Sequence, residues 1–285
     1  MVLESIANPL SAEQHPIAIL FLGILYGTAG LFFSLWIFRE YASLVLVFLT
    51  VYAALPIMYK TMRFEEKKDL ILRGERNILA EHKKALFFFI MLFIGLVIAY
   101  ATWSLILPSS LANQAFSVQQ QTISALNKQV TGSVISFSVF SNIFVNNVKV
   151  MLFALFFSFM YGSGAIFILS WNASVIGAAA AKFIEQHTIG VAGTGFAMIG
   201  GYTYAIGLTI VRYATHGIPE ILSYFIAGLA GGILSFALIR KDYRHPNFEN
   251  ILLDVSDLLF IAVGVLFIAG ILEVFVTPGV VQLLS

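Results

Sequence analysis

The sequence predicts an all-α protein: a polytopic bundle of transmembrane helices with about seven spans plus a re-entrant or interfacial helix. Three observations predict it. Of the 285 residues, 59% are hydrophobic and only 11% are charged, whereas a soluble globular chain carries about 25% charged residues. The apolar residues fall in runs of roughly 20, the length that crosses a hydrocarbon core as a helix. The charge is gathered into breaks between those runs, and residues 60–84 alone hold eight of the sixteen Lys/Arg and five of the fifteen acids.

The first run, Ile17–Phe38, follows His15-Pro16, and Glu4 and Glu13 but no basic residue precede it. It reads as a retained span, not a cleaved signal peptide. Arg39-Glu40 is a brief break before the second run, Tyr41–Tyr59. So short a connection makes a two-span helical hairpin of residues 1–59. In residues 60–84, Phe64, Ile71 and Ile78 recur every seven residues, with Leu70, Leu72 and Leu79 beside them. That spacing predicts an amphipathic helix along the membrane surface, weakened at Gly74. A solvated connector is the plain alternative. Either way, its basic charge places it in the cytoplasm, and it divides the hairpin from a five-span core over 85–285.

Ala85–Leu107 is the third span. Residues 109–147 carry Lys128 as their only charge and include Gln119-Gln120-Gln121; this loop is expected outside, with Val134–Val145 as a short helix packed on the membrane. Val148–Leu169 is the fourth span. Residues 194–212 and 218–239 read as two further spans, and Arg240, Lys241 and Arg244 after them should be cytoplasmic. That parity requires the small-residue segment 172–190, closed by Lys182 and Glu185, not to cross. It is the expected re-entrant or surface piece on the cytoplasmic side. Leu258–Val276 is the last span. The result is a multi-pass protein of the cell membrane with its N-terminus in the cytoplasm.

The chain is organised around 212–239, where Arg212, His216 and Glu220 stand between two apolar segments. Lys149, Arg212, His216, Glu220 and Glu273 are expected at one outer level of the membrane. Two cations and two carboxylates could neutralise each other, and desolvation would otherwise cost several kcal/mol per ion. Lys149 and Arg212 have a plainer reading, that of snorkelling to head groups. Glu273 is expected to face the bundle, because intramembrane acids rarely face lipid. Gly228 and Gly232 lie four apart and would let a helix approach closely. Asn172 and Gly177 are read as packing or gate residues, and Asn172, Lys182, Glu185, Asp254 and Asp257 as a second, inner polar layer.

His216 and Glu220 have the spacing of a one-face pair, but Gly217 and Pro219 interrupt it, and Pro219 suits the start of a helix. A zinc site needs three or four ligands, and His15, His82, His187 and His245 are expected on or near the cytoplasmic side, away from His216. No metal or cofactor is expected. The chain has no cysteine, which excludes disulfides, thiolate ligands and cysteine catalysis. It has no P-loop and no G-x-S-x-G elbow, and nothing in it suits nucleic acid. The expected partners are the bilayer and membrane or envelope proteins, with a homo-oligomer left open.

Three stretches carry a family resemblance. One is Asn146-Asn147, the span through Gly162 and Gly164, and Trp171-Asn172 with Gly177. Another is His216-Gly217-Ile218-Pro219-Glu220-Ile221 with Ala227-Gly228 and Gly231. The last is Leu272-Glu273-Val274-Phe275-Val276-Thr277-Pro278. In order and spacing the chain resembles the stage II sporulation protein M family over about residues 85–280, with Asn172-Ala173 where that family usually has Asn-Gly. The resemblance implies a membrane protein without established enzymatic activity. The sporulation member belongs to an envelope-remodelling complex in which peptidoglycan hydrolases are its partners, and related proteins occur widely in bacteria and archaea that do not sporulate, so the family name does not itself give the function. The N-terminal hairpin and basic segment look like an added module. The expectation is therefore a non-enzymatic membrane scaffold that recruits partners. A transporter or channel subunit using the acidic site is the alternative, and an intramembrane enzyme using His216 and Glu220 is a more distant one.

Overall fold

The computed structural model describes residues 16–71, 78–130, 137–161, 164–188, 196–244 and 248–284. Among these every regular element is helical. In order they are α1 (Pro16–Ile37), a 3₁₀ turn (Arg39–Tyr41), α2 (Ala42–Ile71), α3 (Ile78–Ile106), α4 (Ser109–Ala115), α5 (Ser117–Val130), α6 (Phe137–Tyr161), α7 (Ala165–Thr188), α8 (Phe196–Ile239), α9 (Phe248–Ile271), a π turn (Leu272–Val276) and α10 (Thr277–Leu284). Seven helices, α1, α2, α3 and α6 to α9, are long and apolar enough to cross a membrane. The all-α multi-span bundle read from hydropathy is what the chain forms.

Lipid tails are as apolar as the side chains, so helices here associate through close packing and hydrogen bonds. Both are visible in the N-terminal three. Gly23 on α1 and Gly95 on α3 bring the two backbones together: a Cβ at Gly95 would meet the Leu20 carbonyl oxygen, and one at Gly23 the Leu92 carbonyl oxygen. Polar hooks fix the register. The Thr50 hydroxyl donates to the Leu46 carbonyl at 2.8 Å, so the buried Tyr100 hydroxyl is the donor in its 2.8 Å contact with Thr50. The Trp103 indole N–H donates to Thr28 at 3.0 Å.

The basic side chains gather at one end. Lys60 and Arg63 on α2, Lys83 and Lys84 on α3, and Arg240, Lys241 and Arg244 after α8 all lie there. The Tyr59 and Phe236 rings, one residue and four residues from those groups, touch at 4.9 Å between centroids. The turn between α1 and α2 and the short helices α4 and α5 cap the opposite end. Gln119, fully buried on α5, donates to the Ser43 carbonyl at 2.9 Å and to Ser174 Oγ at 3.1 Å. It ties α5 to α2 and α7, with Ala115, Phe116 and Ile123 buried beneath.

Three expectations are corrected. Residues 60–71 continue α2 and 78–84 open α3, so no separate helix of these residues lies along the membrane; 72–77 are outside the described residues. Charge density alone suggests a surface helix, but Glu65 and His82 are buried against each other at 2.6 Å, both within 1% of full burial. Residues 172–188 belong to the continuous apolar helix α7, not to a surface piece on the basic side, and the fourth expected span, 148–169, runs across the break between α6 and α7. Finally, 194–212 and 218–239 are one helix, α8, of 44 residues with Pro219 inside it. Proline removes a single N–H, which neighbouring helices make tolerable within a membrane. These errors cancel in parity, so the ends assigned to 60–71 and 240–244 still agree.

Candidate functional site

The antiparallel pair α8–α9 builds the site at the end away from the basic residues. Its register is fixed by His216 on α8 and Thr277 on α10, whose Nδ1 and Oγ1 are 3.2 Å apart. The Thr277 hydroxyl spends its proton on the Leu272 carbonyl at 3.0 Å. His216 Nδ1–H is therefore the donor, and in the neutral ring Nε2 carries the acceptor lone pair. Four residues further along each antiparallel helix stand Glu220 and Glu273, whose carboxylates are electrostatic neighbours. Tyr224, fully buried, donates its hydroxyl proton to Glu220 Oε1 at 2.8 Å. Glu220 and Tyr224 are four apart on one helical face.

Glu273 lies in the π turn, where the Thr277 N–H reaches back five residues to the Leu272 carbonyl. Pro278 has no N–H to close an α turn on Val274, and the turn before it widens. Such π insertions re-aim side chains and recur at functional sites. Here the widened turn carries Glu273, the acid flanked on all sides by apolar sequence.

The structure brings together His216, Glu220 and Glu273, and adds Tyr224 and Thr277. It does not pair the two cations with these carboxylates, although Arg212, four residues before His216 on α8, is that histidine's electrostatic neighbour. Arg212 stacks its guanidinium over the Phe183 ring of α7 at 4.8 Å and over Tyr213 at 5.8 Å. Lys149 is exposed on α6, as a snorkelling lysine would be. Among the described residues no ion pair joins Lys149, Arg212, Glu220 or Glu273. Tyr224 had a sequence signal in its spacing from Glu220. Thr277 required the fold.

The other sequence-singled residues fall elsewhere. Asn172 donates to the Ile168 carbonyl of its own helix at 2.7 Å, not across to a neighbour. Gly177 packs α7 on α3, where a Cβ would stand 2.7 Å from Tyr100 Cβ. At Gly228 a Cβ would stand 2.6 Å from Ala165 Cβ. Gly231 makes the next close approach on α8, against Leu155 and Phe159, while Gly232 is buried beside it. Lys182 and Glu185 sit with Phe183 near Arg212 and Tyr213, at the opposite end from Asp254 and Asp257, so the expected inner polar layer does not form. His187, whose ring lies 4.0 Å from that of Phe183, is at that same end and not at the basic one. His15 and His245 are outside the described residues. Among the described residues no group of three or more His, Asp or Glu could hold a metal ion.

Below this level the bundle centre is apolar. Met58, Phe89, Leu92, Phe93, Leu96, Ile166, Leu169 and Phe225 line a crevice too narrow for water. A family model described as Stage II sporulation protein M matches residues 84–278. No curated protein and no solved structure matches the chain.

Proposed function

The chain belongs to the stage II sporulation protein M family, and from that premise we propose that it is a non-enzymatic membrane scaffold that positions partners for envelope or membrane organisation. One observation carries this reading. The α4–α5 platform is a nearly uncharged, amide-rich surface held rigidly outside the bundle. Its buried face is locked by Gln119, while Asn113, Gln114, Gln121 and Ser124 face outward. A hydrogen-bonding surface on a bundle whose central crevice is apolar and too narrow for water suits docking better than conduction. The basic end fits the cytoplasmic side under the positive-inside rule, so the platform faces outward and the N-terminus inward. Single cysteines in this cysteine-free chain check it. Gln121→Cys is expected to label from outside and Lys84→Cys only after permeabilisation. The reverse pattern overturns the orientation.

A second reading has its own observation: two interior carboxylates without a cationic partner among the described residues, one of them on a π turn. Interior membrane acids mark ion and proton pathways. A transporter or channel subunit would lose flux on Glu273→Gln with the fold intact. Crosslinked purification from native membranes, run on wild type and Glu273→Ala, separates the readings. The scaffold predicts the same partner retained in both. Solute or proton flux in liposomes that vanishes with Glu273→Gln would replace the scaffold by a transporter.

A further inference from the structure

We infer that α6 and α7 form a re-entrant hairpin that enters from the α4–α5 end and turns back at mid-depth, so that the chain makes five complete crossings. Three rulers, each starting from the basic end, measure where the α6–α7 turn sits. On α8, Gly231 packs against Leu155 and Phe159 of α6, and Gly228 against Ala165 at the start of α7. Gly228 is about three turns before Ile239, or ~16 Å at 1.5 Å per residue. On α2, the ring of Phe167, in the first turn of α7, meets Phe48 at 5.4 Å. Phe48 is ~18 Å along the helix from Lys60. On α3, Ile166 and Leu169 share the central crevice with Leu92 and Leu96, which lie ~12–18 Å beyond Lys84. All three place the turn near the middle of a hydrocarbon core ~30 Å thick.

The far end of α7 agrees. Phe183 contacts Tyr213 and Arg212, and Lys182 and Glu185 are exposed there. The helix thus runs from mid-depth to the opposite surface. Non-helical backbone is tolerated at membrane depth only where protein buries it. Gly164, Ala165 and Ile166 are buried, and a Cβ at Gly164 would meet the Phe157 carbonyl oxygen. Gly164 is thus closed against α6, and the first turn of α7 is shielded by α8, α2 and α3. Because α6 enters and α7 leaves at the same end, the parity of the chain is unchanged and both end assignments stand.

Depth-resolved spin labelling tests this. Met160 is lipid-facing at 52% exposure on the last turn of α6, and Ile239 at 69% marks the basic end. Nitroxides at Met160→Cys and Ile239→Cys are read by power saturation with oxygen and with a water-soluble nickel complex in liposomes. The hairpin predicts that the Met160 label is near the oxygen maximum, protected from nickel, and ~12–18 Å deeper than Ile239. A label at Phe153→Cys, two turns back on α6, is expected nearer the α4–α5 end than Met160. A Met160 label at the nickel-accessible depth of Ile239 would show a complete crossing and overturn the inference. Lipid-facing sites keep the core intact, and monodisperse elution with an unchanged thermal transition confirms the fold of each variant.

Discussion

Gly95→Leu is expected to undock α1 from α3 and to leave little folded protein. The new Cβ would fall on the Leu20 carbonyl oxygen, a backbone atom with no rotamer to escape into. The reciprocal glycine, Gly23, meets the Leu92 carbonyl in the same way, so neither helix can roll aside without losing the other contact. Overpacking in a dense interior costs about 1–3 kcal/mol and sometimes more; a backbone collision belongs at or above the top of that range. Gly264 on α9 is the control, since a Cβ there meets nothing within 4 Å. Gly264→Ala is expected to be neutral or slightly stabilising, alanine being about 1 kcal/mol the better helix former. Detergent-solubilised yield and unfolding in mixed micelles check both. Equal behaviour of the two variants would mean that the α1–α3 contact is not held by its glycines.

The second large effect is expected at the α2–α3 hairpin. Glu65→Ala removes the carboxylate that His82 Nδ1 contacts at 2.6 Å in a site with no solvent exposure. Breaking a buried polar or charged pair by deleting one partner costs about 3–5 kcal/mol, because the other is left desolvated. Unfolding free energy in mixed micelles should fall by about 3 kcal/mol or more, and protease sensitivity should rise between α2 and α3. Replacing both residues together, Glu65→Met with His82→Leu, should recover much of the loss. A single substitution that costs nothing would remove the pair as the clasp of the hairpin.

How these features relate to the sequence is uneven, for physical reasons. Hydropathy reports length and polarity, and it found the helical class and most of the spans. It is blind to a helix break within small residues. The run 148–169 keeps its hydropathy through Gly162-Ser163-Gly164, so the end of α6 and the start of α7 read as one span. The opposite error came at Gly217 and Pro219, strong breakers that a helix supported by neighbours carried through. Glu65 and His82 stand seventeen residues apart in a stretch dense with charge, and nothing in that spacing marks them as the buried pair among their charged neighbours. In the site, the grouping of His216, Glu220 and Glu273 followed from where the apolar runs end. That Lys149 and Arg212 pair with neither acid did not, because their lipid-facing and aromatic alternatives depend on which face of α6 is covered and on α7.

The claim that this protein organises partners through its platform is tested most directly by one comparison in native membranes. Gln121→Arg with Ser124→Arg changes two outward-facing positions of α5 and touches no buried contact; Glu273→Gln changes the interior acid. Crosslinked partner is quantified for each against wild type at equal protein level. The account predicts that the platform variant loses the partner at least about tenfold, equivalent to ~1.4 kcal/mol of binding, and that Glu273→Gln retains it. Full retention by the platform variant, with loss on Glu273→Gln, would contradict the account and make the interior acids the working part of the molecule.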